Sequence, residues 1–454
     1  MKIHNPATGT LLAEVPAATP ELVAERAAAA RAAQPAWAAR PLRERMDILQ
    51  RFRVAVAAEV ESLAMTLTEE VGKPIRQSRS EVNGLLPRID FFIAQAEASI
   101  GARQIHDEGG TREVLAFDPL GVVVNISAWN YPYFVGGNVF VPALLTGNAV
   151  LYKPSEFAIL TGQHIDRLLH AAGVPADVFI TLVGTGEVGA ALLEEKVDGV
   201  FFTGSAATGA KIAAQMGPRM VRLQLELGGK DPTYVADDAD PKAAAESLAD
   251  GAMYNTGQSC CSVERIYVHE KIHDAFVDHF LATVSGFKSG DPLADGTYIG
   301  PLTRAPQLAV LDAQVADALA KGATLRTGGK RVEKAGNWFE PTVLTEVDHT
   351  MAVMREESFG PIIGIQKVAD DDEALALMND TRYGLTAGMY TRDQARAAKL
   401  LKRVNAGSIY WNCCDRVSPR LPWSGHGDSG VGVTLSSYGI QAFTRPRAWH
   451  LRKA

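Results

Sequence analysis

PLGVVVNISAWNYPYFVGGNVFVPALLTGNAVLY, residues 119–152, decides the fold. It contains no Asp, Glu, Lys or Arg, and an uncharged run of this length invites a membrane reading. Asn125, Asn130, Pro132, Asn138, Pro142 and Asn148 interrupt it too often for that. A buried strand, a loop, a helix and a second buried strand account for it better.

Working outward, the same alternation continues. Short apolar runs at 121–126, 148–152, 178–183, 199–202 and 221–225 predict strands, with helices at 134–145, 157–172, 186–194 and 205–216 between them. That order predicts a doubly wound parallel sheet. A second block follows Gly228, with strands near 263–268, 339–344, 361–367, 386–390 and 407–411 and helices near 271–285, 304–321, 370–379 and 392–403. The first hundred residues read as helices, from the Ala-rich run 20–39 and the periodic stretch 41–72. Residues 102–118 and 433–451 fit neither block, and their alternation predicts strands that leave the body.

Composition bounds the function. The chain has 454 residues, enough for two or three structural units with sizeable cores. A hydrophobic fraction of 47% with 21% charged residues is that of a water-soluble globular chain. A formal net charge of −7 argues against nucleic acid as a partner. The start, MKIHNPATG, lacks a signal-peptide pattern, so a cytoplasmic location is expected. The four cysteines lie in two adjacent pairs, Cys260-Cys261 and Cys413-Cys414, which suits neither a zinc site nor a disulfide framework.

Chemistry concentrates where the two blocks meet. Cys260 lies in YNTGQSCC (254–261) and Glu226 in LELGGK (225–230). A thiol attacks as the thiolate, and a carboxylate can serve as base for the thiol or for a water. Either residue alone is weak: a buried Cys is usually an inert small hydrophobe, and a Glu beside two glycines is usually a helix or loop end. The run GTGEVG (184–189) satisfies G-x-G-x-x-G with Gly184, Gly186 and Gly189, but no acid follows at the spacing of a dinucleotide fingerprint. A tight strand-to-helix turn explains it equally well. Lys153 and Glu156 follow a strand end, where such folds bind ligands, and a carboxylate there would hold ribose hydroxyls and repel a 2′-phosphate. Ser205, in FFTGS (201–205), can cap a helix whose N-terminus attracts a pyrophosphate.

AWNYP (128–132), YKPSE (152–156), FFTGS, LELGGK, GQSC (257–260), EESFGP (356–361) and LPWSGHGDSGVG (421–432) occur together in one order. In this the chain resembles the NAD(P)-dependent aldehyde dehydrogenase superfamily, non-acylating type, over nearly its whole length. The resemblance implies an α/β fold with a Rossmann-like cofactor domain (1–101 and 119–228), an α/β catalytic domain (229–430) and a small β oligomerisation arm (102–118 and 431–454). It implies oxidation of a small-molecule aldehyde to the acid. Cys260 would be the nucleophile, Glu226 the base and Asn130 an oxyanion donor.

For the cofactor it implies Trp129, Lys153, Glu156, Gly184, Ser205, Glu357 and Phe359, with NAD favoured over NADP. For the substrate tunnel it implies Tyr131, Asn138, Cys261, Val417 and Trp423, with Cys261 as wall rather than nucleophile. No metal, membrane or nucleic acid is expected, and a homodimer or homotetramer is. Arg416 and Arg420, in CCDRVSPRLPW (413–423), are either solvated loop residues or holders of a substrate carboxylate. Val139 and Thr434 stand where the family has a Lys and a Glu proposed in a proton exit route. Three other readings remain: a CoA-acylating relative, a thiol hydrolase and a non-catalytic structural member.

Overall fold

A computed structural model describes residues 1–453. Residues 119–153 form a strand, Val122–Ile126, a helix, Pro132–Leu145, and a strand, Ala149–Lys153, buried throughout but for Phe134. The uncharged run is therefore a protein core, and among the described residues no helix is long and apolar enough to cross a membrane.

Five parallel strands build the first sheet in the order Arg222–Glu226, Gly199–Thr203, Val122–Ile126, Ala149–Lys153, Phe179–Thr181. The chain starts in the middle, winds one way, then returns and winds the other. The direction switches between Val122–Ile126 and Gly199–Thr203, and ligands bind at the carboxyl ends beside such a switch. Gly430–Val431 adds an antiparallel edge beside Leu225 and Glu226. Helices Pro20–Ala38, Leu42–Ala58, Val60–Val71 and Ile75–Ile100 bury apolar stripes that include Trp37, Phe52, Leu67 and Phe92 against this sheet and its helices.

The second sheet orders Thr324–Thr327, Thr342–Thr345, Ile362–Val368, Arg265–His269, Pro232–Val235, Thr386–Tyr390 and Ser408–Trp411, parallel except for the first. The sequence reading omitted strand Pro232–Val235 and the helix Pro241–Met253 that follows it. That strand is only four residues long, which leaves no period to count. The helix carried a start signal: Asp240 accepts hydrogen bonds from Lys242 N and Ala243 N, with Pro241 at the first helical position. An N-terminal hairpin, Lys2–His4 with Leu11–Glu14, was read over as well.

A third, antiparallel sheet contains Thr444–Arg452, Thr111–Pro119 and Arg103–Glu108 in that order. The expectation of strand throughout 433–451 needs correction. Residues Ser436–Gln441 form a helix, and Gln441 Nε2 donates to Ser99 O at 2.8 Å, so this segment lies on helix Ile75–Ile100 before the last strand begins. Buried Leu435 and Ile440 pin it there, on the body of the molecule.

Candidate active site

The loop after helix Pro241–Met253 is folded against its conformational preference. Asn255, Thr256 and Gly257 have φ of 54°, 58° and 69°, three left-handed residues in succession. A non-glycine residue there costs on the order of 1–3 kcal/mol, so neighbours must hold it. Gly300 N donates to Thr256 Oγ1 at 3.0 Å, Asn255 N donates to Gln77 Oε1 at 2.9 Å, and Thr303 N donates to Gln258 Oε1 at 2.9 Å. A Cβ at Gly257 would lie 2.1 Å from Gly360 O, so only glycine lets the loop meet the segment that carries Glu357 and Phe359. The turn ends at Ser259, Cys260 and Cys261, and Cys260 is half-buried and free.

Cys260 faces a cavity of about 350 Å3. Glu226, at the carboxyl end of its strand, lines the same cavity, as do Tyr131, Asn138, Cys261, Val417 and Trp423. The structure thus brings Cys260 and Glu226 together with every residue assigned from sequence to the tunnel. Arg416 is exposed on its rim, and Arg420 does not line it. Asn130 lies between helix and loop: its side-chain amide donates to Gln258 O at 3.3 Å, and its own carbonyl accepts from Asn255 Nδ2 at 3.3 Å.

Glu226 is 9% exposed, and burial pushes its carboxyl up to about 7, against hydrogen bonds from Thr434 and Gln224 that pull it down. Gln224 Nε2 donates at 3.0 Å. A carboxyl poised near neutrality suits a general base. The Cys261 thiol is pushed well up, by its contact with Cys260 and by burial. It also donates to Asp415 Oδ1 at 3.0 Å, which leaves it protonated.

The residues assigned to the cofactor follow the carboxyl edge of the first sheet. Trp129 lies beside the switch point, its ring 5.5 Å from Phe359 and 6.4 Å from Phe157, both edge to face. Ser205 caps helix Ala206–Met216 by accepting from Thr208 N at 3.3 Å. Glu156 takes only long contacts, from Ser155 Oγ at 3.4 Å and Lys153 Nζ at 3.9 Å, so its oxygens remain available to hydroxyl donors. Glu357 accepts from Gly229 N at 3.2 Å, and burial pushes its carboxyl up to about 8. A Cβ on Gly184 would lie 2.1 Å from Val188 Cγ2, so that glycine is dictated by the turn into helix Gly186–Glu194. A dinucleotide fits these residues: a helix N-terminus at the switch point for its phosphates, an open carboxylate for a ribose, and an aromatic wall.

A family model described as the aldehyde dehydrogenase family matches residues 1–449. The chain belongs to the aldehyde dehydrogenase family. It is 36% identical to 3,6-anhydro-alpha-L-galactose dehydrogenase of Streptomyces coelicolor, over 100% of this chain and 93% of that one. It is 35% identical to succinate-semialdehyde dehydrogenase [NADP(+)] of Deinococcus radiodurans, over 90% and 86%. The crystal structure of the NAD-dependent aldehyde dehydrogenase from Sinorhizobium meliloti superposes with a TM-score of 0.97 at 33% identity, over 100% and 91%. This aldehyde dehydrogenase accordingly oxidises an aldehyde to the carboxylic acid with a nicotinamide dinucleotide.

Sequence reasoning missed the contribution of helix Ile75–Ile100. Gln77, Glu81 and Arg88 line the cavity from it, and Lys73, just before it, forms a fully buried ion pair with Glu81. Lys73 Nζ also donates to Asn130 O at 2.6 Å and lies 3.7 Å from the centre of the Tyr131 ring. Glu81 Oε1 accepts from Tyr133 N at 2.9 Å. The spacing of Gln77, Glu81 and Arg88 puts all three on one helical face. Polar residues on the inner face of a helix were the available signal. Lys230 and Glu264 form a second buried pair, and Glu264 accepts from Ser358 N at 3.0 Å and Phe359 N at 3.1 Å, fixing the loop of Glu357 and Phe359.

Proposed function

We propose that Cys260 is the nucleophile of this aldehyde dehydrogenase, Glu226 its base and Asn130 its oxyanion donor. The observation that carries the reading is that Cys260 and a buried carboxyl poised near 7 line one cavity. The Cys260 thiolate adds to the aldehyde carbon and the carbonyl oxygen becomes an oxyanion. The Asn130 amide, swinging from Gln258 O, and the Cys260 backbone N–H donate to that oxygen. A bound nicotinamide dinucleotide would supply the acceptor for the hydride that leaves the thiohemiacetal carbon. The carbonyl re-forms as a thioester on Cys260. Glu226 then takes a proton from water, the water oxygen attacks the thioester carbon, and the thiolate leaves as the acid forms.

Trp129, Lys153, Glu156, Gly184, Ser205, Glu357 and Phe359 would hold the dinucleotide, with Glu156 favouring NAD over NADP. The first sheet would carry the cofactor, the second the catalytic thiol, and the three-stranded sheet would join subunits into a dimer or tetramer. Four free cysteines suit the reducing cytoplasm.

Replacing Cys260 by Ala should abolish NADH formation while NAD binding survives, and Cys261→Ala should keep most activity. The reverse pattern would move the nucleophile to Cys261. Glu226→Gln should give a burst of NADH, then slow turnover, with an acyl adduct on Cys260 by mass spectrometry. A CoA-acylating enzyme would instead release acyl-CoA and be indifferent to that substitution.

A further inference from the structure

We propose that Arg88 forms an anion subsite in the wall of the Cys260 cavity, selecting aldehydes that carry a distal carboxylate. This rests on the reading of Cys260 as the nucleophile. Arg88 is 6% exposed and lines the cavity. Its guanidinium lies 3.6 Å from the centre of the Phe134 ring, and its Nη1 donates to Gly84 O at 3.0 Å. Its Nε is buried without any hydrogen-bond partner, and among the described residues no carboxylate lies within ion-pair distance of the group. Burial lowers its pKa only to about 10, so it remains a cation at neutral pH. A buried, unpaired guanidinium is costly unless something compensates it.

The four carboxylates lining the cavity are already engaged, Glu226 by Gln224 and Thr434. Glu81 is committed to Lys73 and to Tyr133 N. Asp415 accepts from the Cys261 thiol at 3.0 Å, and burial raises its pKa. Asp250 accepts from the Tyr298 hydroxyl. The site also looks built. Phe134 lies so close to helix Ile75–Ile100 that a Cβ at Gly84 would be 2.7 Å from its Cζ, and the ring would have to shift. Glycine inside a helix costs about 1 kcal/mol, and here it admits the ring on which Arg88 is stacked. Tyr131 stacks on Phe134 at 5.8 Å with an interplanar angle of 5°, linking Arg88 to the wall beside Asn130. In the same cavity wall Asn138 Oδ1 is buried and unpartnered, an acceptor for a hydroxyl along the substrate chain. A planar guanidinium held against an aromatic face suits a carboxylate bonded through two N–H groups.

The test compares succinic semialdehyde with butanal, which differ by the distal carboxylate. The wild-type full chain should prefer the semialdehyde by at least about tenfold in kcat/KM, the scale of a charge-assisted hydrogen bond. Arg88→Met should cost the semialdehyde about 10- to 100-fold, mainly through KM, and leave butanal within about threefold. Equal kcat/KM for the two substrates in the wild type, or an equal loss on both in Arg88→Met, would overturn the subsite. Should Arg88→Met fail to fold, Arg88→Lys takes its place, with a several-fold loss confined to the semialdehyde. If the wild type oxidises neither aldehyde, the proposed reaction fails separately, and calorimetric titration with succinate decides the subsite. Binding abolished by the Arg88 substitution would support it, and no binding to the wild type would sink it.

Discussion

Thr434 donates its hydroxyl hydrogen to Glu226 Oε1 across the edge of the first sheet, beside the Gly430–Val431 strand that pairs with Leu225 and Glu226. The family resemblance placed an acid at position 434, where a second carboxylate would raise the Glu226 pKa further. The hydroxyl does the reverse: it favours the ionised base. Burial nevertheless holds the carboxyl at about 7. Thioester hydrolysis should therefore rise as pH passes through about 7 and level off above it. Thr434→Val removes one ionisation-favouring bond, so the profile should move to higher pH. A shift of about one unit would lower turnover roughly fivefold at pH 7 and leave it within about twofold at pH 9. The kcat profile of the two proteins measures this directly, and coincident profiles would separate Thr434 from the base. The same raised pKa has a stability consequence. Between about 4.5 and 7 the folded chain keeps a proton that the unfolded chain has released, so this group's contribution weakens as pH rises through that window.

The buried pair Lys73–Glu81 should be costly to break. Both side chains are fully buried, and Lys73 holds the Asn130 carbonyl as well. Lys73→Met leaves an unpaired carboxylate in the core, an effect of about 3–5 kcal/mol. Adding Glu81→Gln should recover part of the loss, because the charge goes with its partner. Urea denaturation of the two single variants and the double variant completes the cycle. The activity of Lys73→Met should fall through kcat, since the Asn130 amide loses its positioning. A double variant no more stable than Lys73→Met would show that the pair is not the source of the loss.

Cofactor preference should turn on Glu156. Its carboxylate, free of close partners, would repel a 2′-phosphate, so kcat/KM should be higher with NAD than with NADP. Glu156→Gln removes the charge and keeps the hydrogen-bonding shape, and should narrow the gap by about tenfold, the size of one modest charge interaction. Equal use of both cofactors by the wild type would end this reading. Relatives of either type exist: the Deinococcus enzyme is named for NADP(+) and the Sinorhizobium enzyme for NAD.

The parallel sheets were legible because their strands are buried on both sides. Val122–Ile126 and Ala149–Lys153 are buried at every position and apolar but for Asn125 and Lys153, and the helix between them gives way to Thr146, Gly147 and Asn148. The meeting of Cys260 and Glu226 on one cavity was legible through their local motifs. The rest of the cavity was not, because it depends on which helix face turns inward. Arg88 and Glu81 look like surface residues of an amphipathic helix, and only the packing of Ile75–Ile100 against Pro132–Leu145 makes them internal. Thr434 looked like part of an exposed strand, and it became a partner of Glu226 because residues 434–440 fold back onto the body.

Strand Thr444–Arg452 carries the last expectation. It pairs with Thr111–Pro119 over nine positions and lies at an edge of its three-stranded sheet. Only its first residue is buried, while Trp449 and Leu451 are 47% and 44% exposed, with Ile105 on the opposite edge strand 63% exposed. A long edge bearing exposed apolar groups pairs or aggregates unless covered. A second copy of the chain is the natural cover, since a closed symmetric pair satisfies both edges at once. Light scattering should therefore give a mass that is a whole multiple, above one, of the 48.6 kDa chain. Trp449→Asp with Leu451→Asp places charges on the exposed strand and should shift the assembly towards monomer, with Cys260 and Glu226 untouched. A wild type that is monomeric at micromolar concentration, or a double variant with unchanged mass, would remove the three-stranded sheet from the interface.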